Sequence, residues 1–484
     1  MNSAWGVSSK FEIRHLKFSS LPITLPLTIG IGFGKLAAQS TRIPMASDPN
    51  TAESSLPAGK PIPESFLDYV KSMGPGIVVV LTWLGAGDIV ESAMAGGNYG
   101  YALMWAFALC LLLRYCFVSI IAKYQLCNPR SESVMAGLTR LHPAFTVVVL
   151  AGSIIVGHAV GVFLLIGASE VCAKLSGTEE IRVWAIGITL FAFMLVMRPR
   201  YRRIEKVFLI LAGLMSVCLI GLAVWAGPSP GGIARGVFGF DVPDTIGRFD
   251  AVTLAVAFVG AIAGGLANLM YPYFIREKGW VRPEHLKVQR YDLILGIIVL
   301  IILDLSIWVV GAEVLHPCGI KVTDLESLSK LLGETMGLMG TRLFYLGVWA
   351  ALFTSIVGNG IAYGLLITDS YIHIRPAASA ACGGEYKNHP GYLWSVYWIV
   401  LSPLIWVLFG KADFVGLTVM VNASQVVLLP VLVIGMWLLT SQVKFIGEKY
   451  CNRWWENAFI GFLLVTSLIS TYFAITKFIA IVTS

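Results

Sequence analysis

Residues 74–101 read GPGIVVVLTWLGAGDIVESAMAGGNYGY, and residues 251–280 read AVTLAVAFVGAIAGGLANLMYPYFIREKGW. Each begins as an apolar run suited to a lipid bilayer, and each is interrupted partway. In the first, Leu84 is followed by Gly85, Ala86, Gly87 and Asp88. In the second, Ile262 is followed by Ala263, Gly264, Gly265, Leu266, Ala267 and Asn268. Unwound backbone inside a bilayer leaves N–H and C=O groups unpaired, so it is tolerated only where it lines a cavity or is covered by protein. Glycine packing notches are the plainer reading of either run alone. Two interruptions at matching depths, one beside an aspartate, point instead to a transport site near the midplane.

The remaining sequence supports a polytopic membrane protein. The 484 residues are 57% hydrophobic and only 13% charged, where a soluble domain is nearer a quarter charged. A span needs ~20 mostly apolar residues. Eleven candidates follow, near 74–97, 101–122, 144–172, 183–197, 207–227, 250–275, 291–315, 343–369, 392–410, 413–439 and 457–482. The interrupted segments are spans one and six, each the first of a five-helix set. An odd number of helices per set makes the two sets inverted in the membrane. The expected organisation is a first repeat over about 70–227, a second over about 250–439 and an extra helix at 457–482, within a transmembrane domain from 64 to 484.

Basic residues set the orientation. With the N-terminus cytoplasmic, the inside loops carry 18 Lys and Arg against 9 outside, which predicts N-in and C-out in a plasma (inner) membrane. The net charge of +7 is spread over these short loops, a pattern of membrane orientation and not of nucleic-acid binding. The eight cysteines form no CxxC pair, so no zinc site or disulfide framework is indicated. Residues 1–63 read as an extension and linker, and Met45 heads the Pro/Ser/Ala-rich part as a candidate start of translation.

A central carboxylate must face an interior. Asp88 and Glu91 lie about one turn apart on a similar face, and two carboxylates suit a hard, oxygen-bound cation. Plainer roles are an N-cap for Asp88 and a wall or packing charge for Glu91. Asp304, mid-span in VLIILDLSIWVV, is the next functional acid, with Arg114 an available counter-charge. His158 suits a proton relay or a hydrogen-bonded structural role.

These residues resemble a known family. GPG at 74–76, Trp83 before the break and AGGNYGYALMW at 95–105 are similar to the NRAMP metal-ion transporter pattern GPG…W-x-DPGN…AGAxYGYxLLW. VNASQVVLLPVLV at 421–433 is similar to that family's SQVVLSLQLP, and TSIVGNGIAYG at 354–364 resembles its small-residue helix. The resemblance implies a leucine-transporter-like fold of two inverted five-helix repeats, with helices one and six broken. It implies alternating-access transport of a divalent metal, often with protons, and no enzymatic activity. The metal is then the substrate, no cofactor is called for, and neither nucleic acid nor an obligate protein partner is implied.

Carried over residue by residue, the family's metal-binding aspartate falls on Gly85 and its asparagine on Asp88. The sixth-helix carbonyl falls on Ala261, the methionine on Gly264 and the tenth-helix glutamine on Gln425, which is kept. A histidine present in many members falls on Leu266. Loss of the thioether should relax selectivity or shift it towards hard ions such as Mg²⁺, and the resemblance without its histidine implies no ordinary proton coupling. The expected site is therefore Asp88, Gly85, Ala261, Gly264 and Gln425, with Glu91, Asn268, Asp304 and His158 as neighbours or pathway. Two other readings stay open. One is a same-fold carrier of a small organic solute. The other is a GxGD-type intramembrane aspartyl protease, using GAGD and Tyr291–Asp292.

Overall fold

The computed structural model describes residues 61–64, 68–69, 86–197, 201–244, 249–383, 385–410 and 413–483. Those residues contain eight helices long and apolar enough to cross a bilayer, or nine if one bent pair counts as a single span. The eleven expected spans all find a helix. Span one appears from its second half, α1 (Ala86–Tyr99), and its first half lies outside the described residues, as do residues 1–60 with Met45. Then come α2 (Met104–Cys127), α3 (Pro143–Ser176) and α4 (Ile181–Val196), a shorter helix of 16 residues. The fifth span, α5 (Tyr201–Ala226), turns by 105° into the short helix Pro230–Phe238.

The sixth span is broken as the glycines predict. Helix α6 (Ala251–Phe258) widens into a π-helical turn over Val259–Gly264. Gly265 is extended (φ −61°, ψ 135°), and a 3-10 turn over Leu266–Met270 leads into α7 (Tyr271–Glu277). Beyond it lie α8 (Leu286–Val310), α9 (Leu325–Ile374), α10 (Gly391–Leu401), α11 (Phe414–Gln425), α12 (Leu429–Ser441) and α13 (Trp454–Thr483). Three irregularities were not legible in the apolar pattern. The 105° bend in span five is one. Helix α9 starts well before the eighth span and kinks at Gly337, whose φ of 58° favours glycine. The tenth span passes through a 3-10 turn at Val426–Leu428 ahead of Pro430, which has no N–H for a regular helix.

Side chains set several helix starts. Asp250 caps α6 by accepting the Thr253 amide at 2.6 Å. Asp413 caps α11 through Gly416 at 2.9 Å, and Asp324 forms a capping box with Ser327 on α9. Each satisfies an amide that a helix start leaves open.

The ion pairs test the span order. Lys123 joins Glu456, Arg276 joins Glu385 and Lys387 joins Glu277, all between segments assigned to one side. Lys174 joins Glu326 and Lys477 joins Asp250, both between segments assigned to the other. No described pair links the two sides, as the alternation requires.

Candidate metal-transport site

The site is built where α1, α6 and α11 meet. Gly260 lies so close to α11 that an added Cβ would overlap the Asn422 carbonyl oxygen. This contact holds the π-turn against the tenth span. At Gly265, by contrast, an added Cβ would stand 3.5 Å from Gln425 Oε1, 3.6 Å from the Ala261 carbonyl and 3.7 Å from the Gly260 carbonyl. Three oxygens therefore line one small volume beside the break. Two of them, on Ala261 and Gln425, are the groups the sequence singles out.

Asn422 joins this cradle to the acids of α1. Its Nδ2 donates to Glu91 Oε1 at 2.7 Å, and its Oδ1 accepts from Gln425 Nε2 at 3.0 Å. The chain Glu91–Asn422–Gln425 thus orients the Gln425 amide, leaving Oε1 towards the cradle. Gly87 permits the approach, since a Cβ there would meet Asn422 Nδ2 at 2.7 Å. The sequence pattern gives Asn422 no part in the site. Its position three residues before Gln425, on a similar helix face, was the available signal.

The surrounding acids are deeply buried: Asp88 is 5% exposed, Glu91 and Asp304 0%. Arg114, on α2, is the buried cation among them and interacts electrostatically with Asp88 and Asp304. Among the described residues, the buried carboxylate and amide oxygens that accept no hydrogen bond are Glu91 Oε2, Asn268 Oδ1 and both oxygens of Asp304. Buried polar atoms in native structures are nearly always satisfied, so such orphans need an explanation. Here they belong to three residues that the sequence placed around the breaks, and all are oxygen acceptors suited to a hard cation.

The other expected residues are placed as follows. Asn268 donates to the Ala263 carbonyl at 2.9 Å across the break. Gly264 faces the Val259 carbonyl, Leu429 and Val426, so it serves contact with the tenth span and brings no side-chain ligand. Gly85 lies outside the described residues. His158 has its Nδ1 2.8 Å from Ser402 Oγ and lines a side cavity with Trp398, Trp406 and Phe409. Its polar partner is thus outside the cluster around the break. No group of three or more His, Cys, Asp or Glu among the described residues is arranged to hold a metal by itself.

Asp292 is set apart from Asp88. Tyr271 holds it at 3.4 Å. It lies twelve residues before Asp304 on α8, roughly 18 Å along the axis, while Asp304 is the acid that interacts with Asp88. The paired aspartates of a protease are therefore not assembled.

The AGGNYGY stretch has a different task. Added Cβ atoms at Gly96 would overlap the Trp308 carbonyl, and at Gly311 would lie 2.8 Å from the Gly97 amide. Asn98 exchanges two hydrogen bonds with the Val322 backbone, Tyr99 donates to the Phe249 carbonyl at 2.7 Å, and Trp308 donates to the Gly100 carbonyl at 2.8 Å. These contacts fix the end of α1 against α8 and the turn that follows it, and against the segments holding Val322 and Phe249.

Comparison with known proteins places the chain among membrane transporters by family and fold. The family model described as Nramp, natural resistance-associated macrophage protein-like, matches residues 76–476. The chain is 24% identical over 328 residues to the divalent metal cation transporter MntH of Bacillus subtilis (strain 168), covering 64% of this chain and 73% of that protein. It is 22% identical over 402 residues to MntH of Brucella suis biovar 1, covering 79% and 82%. Among solved structures it is similar to the Eremococcus coleocola manganese transporter, with TM-score 0.69, 17% identity, and coverage of 88% of this chain and 92% of that one. It is also similar to MhsT, crystallised with L-phenylalanine, with TM-score 0.53, 14% identity and coverage of 86% and 99%. At these identities the structures show the fold, which is all-helical, membrane-spanning and leucine-transporter-like. The match across 76–476 makes the chain a member of the Nramp family.

Proposed function

We propose that this chain carries a divalent metal cation across a membrane by alternating access, with no chemical conversion of its substrate. The observation that carries the reading is the oxygen cradle at Gly265, formed by the Ala261 and Gly260 carbonyls and Gln425 Oε1. Asp88 supplies the formal charge from α1, and Glu91 and Asn422 hold the glutamine in register. Hard divalent ions bind oxygen at about 2.0–2.6 Å, so the cradle closes inward by roughly an ångström when it takes one. The names of the MntH relatives support the same substrate class.

The donor set suits a hard or borderline ion, Mg²⁺ or Mn²⁺ before softer metals, because Gly264 brings no thioether. Leu266 is buried and apolar where many relatives carry histidine, so metal movement at this step has no proton carrier at that position. Protons as a co-substrate would have to move through other groups. A solute carboxylate would meet Asp88, Glu91 and Asp304 across the break, which disfavours the organic-solute reading. We place the N-terminus in the cytoplasm of a cell bounded by a plasma membrane and the C-terminus outside, on the excess of inside Lys and Arg.

The test is uptake of Mg²⁺, Mn²⁺ and Fe²⁺ into proteoliposomes by the wild type and Gly265→Ala. The Gly265 backbone suits alanine, and its methyl would meet the three oxygens at ordinary contact distance. The variant should therefore fold and block the cradle, losing ~100-fold in uptake. Unchanged uptake would remove the cradle from the pathway. Uptake of an amino acid and not of metal would favour the organic-solute reading.

A further inference from the structure

The eleventh span belongs to neither five-helix repeat, yet it reaches the transport site. Helix α13 packs on α12, on α6, on the 3-10 turn of the tenth span and on the π-turn of the sixth. Hydroxyls on helices commonly donate to a carbonyl three or four residues back, and Thr418, Thr440 and Thr476 do so. Thr471, on α13, instead donates from its Oγ1 to the Val426 carbonyl of the tenth span at 3.2 Å. Val426 directly follows Gln425 and opens the 3-10 turn.

That turn depends on ties from outside its own helix. Pro430 has no N–H, so the Val426 carbonyl cannot take the bond that a residue four positions on would supply in a regular helix. It accepts the Leu429 amide within the turn, and its second lone pair is the one Thr471 uses. Towards the sixth span, an added Cβ at Gly260 would stand 3.5 Å from the Val426 amide nitrogen, and one at Gly264 would stand 3.5 Å from the Val426 Cα. The Val426 backbone therefore meets both the opened sixth helix and span eleven, one residue from the side chain that lines the cradle. Hydrogen-bond geometry in a 3-10 turn is poorer than in an α-helix, so these outside contacts set where Gln425 points.

We propose that Thr471 is a positioning residue for the metal: through the Val426 carbonyl it fixes the turn that aims Gln425 Oε1 into the cradle, and span eleven is thereby part of the transport site. The proposal rests on the reading that Gln425 binds the ion. Hard cations hold their oxygens within a narrow range of distance, so a small swing of the turn is felt as a loss of affinity.

The experiment is Mn²⁺ binding by calorimetry to the full-length protein in detergent, with melting temperature measured on the same samples. Thr471→Val keeps the side-chain shape and removes the donor. It should weaken Mn²⁺ binding about fivefold, the scale of one hydrogen bond between membrane helices, and leave the melting temperature within about 2 °C of wild type. Thr471→Ser restores the donor and should bind within about twofold of wild type. Thr476→Val makes the same chemical change on the same helix, where the hydroxyl bonds its own backbone, and should leave affinity unchanged. In Gln425→Ala, which lacks the oxygen to be aimed, adding Thr471→Val should change affinity by less than about twofold. Unchanged affinity in Thr471→Val, no recovery in Thr471→Ser, or the same loss with and without Gln425 overturns the proposal. A lowered melting temperature with wild-type affinity would show a merely structural bond and overturn it as well. Should Thr471→Val not fold, Thr471→Ala is read in the same way. A wild type that binds neither Mn²⁺ nor Mg²⁺ would overturn the metal reading and this proposal with it. Wild-type binding that Thr471→Val leaves intact would overturn the role of span eleven alone.

Discussion

Two glycine-rich stretches, AGGNYG at 95–100 and AGGLAN at 263–268, have nearly the same composition and opposite uses. At Gly96 the missing side chain is replaced by the Trp308 carbonyl of a neighbouring helix, so α1 stays helical and packs hard. At Gly265 the missing side chain leaves three oxygens facing a common volume, and the helix opens there. Glycine in a membrane helix thus reports close approach in one case and an opened helix lined by oxygens in the other. What separates the two is distance: an added Cβ would lie 2.3 Å from a backbone oxygen at Gly96, and 3.5 to 3.7 Å from three oxygens at Gly265.

The comparison can be broken by substitution. The largest effect is expected for Gly96→Val, whose side chain would collide with backbone that cannot yield. Loss of folded protein, more than ~4 kcal/mol of destabilisation, should appear as the absence of a monodisperse peak in size-exclusion chromatography. A well-folded Gly96→Val would show that the packed seam is misread. Gly265→Ala should do the opposite, keeping the melting temperature while uptake falls. Asn422→Ala comes next. It breaks the chain from Glu91 to Gln425 and should weaken metal binding ~10- to 100-fold, as loss of supporting contacts around metal sites does. Calorimetry showing wild-type affinity would detach Gln425 from its orienting partner.

Smaller effects sharpen the packed side. Asn98→Ala loses both hydrogen bonds to Val322 and should cost ~1–3 kcal/mol, read by thermal melting, with metal affinity unchanged. A change in affinity would mean that the seam and the site are one unit. The smallest concerns Asp250, which caps α6 and pairs with Lys477. Burial raises its carboxyl, but the Lys477 hydrogen bond and the Thr253 amide outweigh it and hold the group below the usual carboxylate range. Its folded pKa being depressed, its stabilisation is present above the unfolded value near ~3.9 and is lost as pH falls through the folded one. Asp250→Asn should cost about 0.3–1 kcal/mol at neutral pH, and the difference from wild type should close in acid. A difference that persists in acid would exclude the charge as its source.

Much of the fold was legible because a bilayer imposes length and hydropathy on every span. All eleven helices, the break at Ala263–Asn268 and the alternation of sides follow from that constraint and from glycine. The 105° turn after Ala226 and the Gly337 kink were not legible, because a bend leaves the mean hydropathy of a span unchanged. Within the site, Ala261, Gln425, Glu91 and Asp304 stood out as polar or motif positions. Asn422 did not, because its importance comes from two partners 331 and 3 residues away, a pairing that one sequence does not display. His158 stood out for its type alone, and its partner is Ser402.

The central claim is that the opened sixth helix and Gln425 hold the transported ion. Anomalous scattering from crystals soaked in Mn²⁺ tests it most directly. The expected result is a manganese peak bounded by the Ala261 carbonyl, Gln425 Oε1 and Asp88, absent from Gly265→Ala crystals treated alike. A peak elsewhere in the membrane core, or one that survives Gly265→Ala at the same position, would contradict the account.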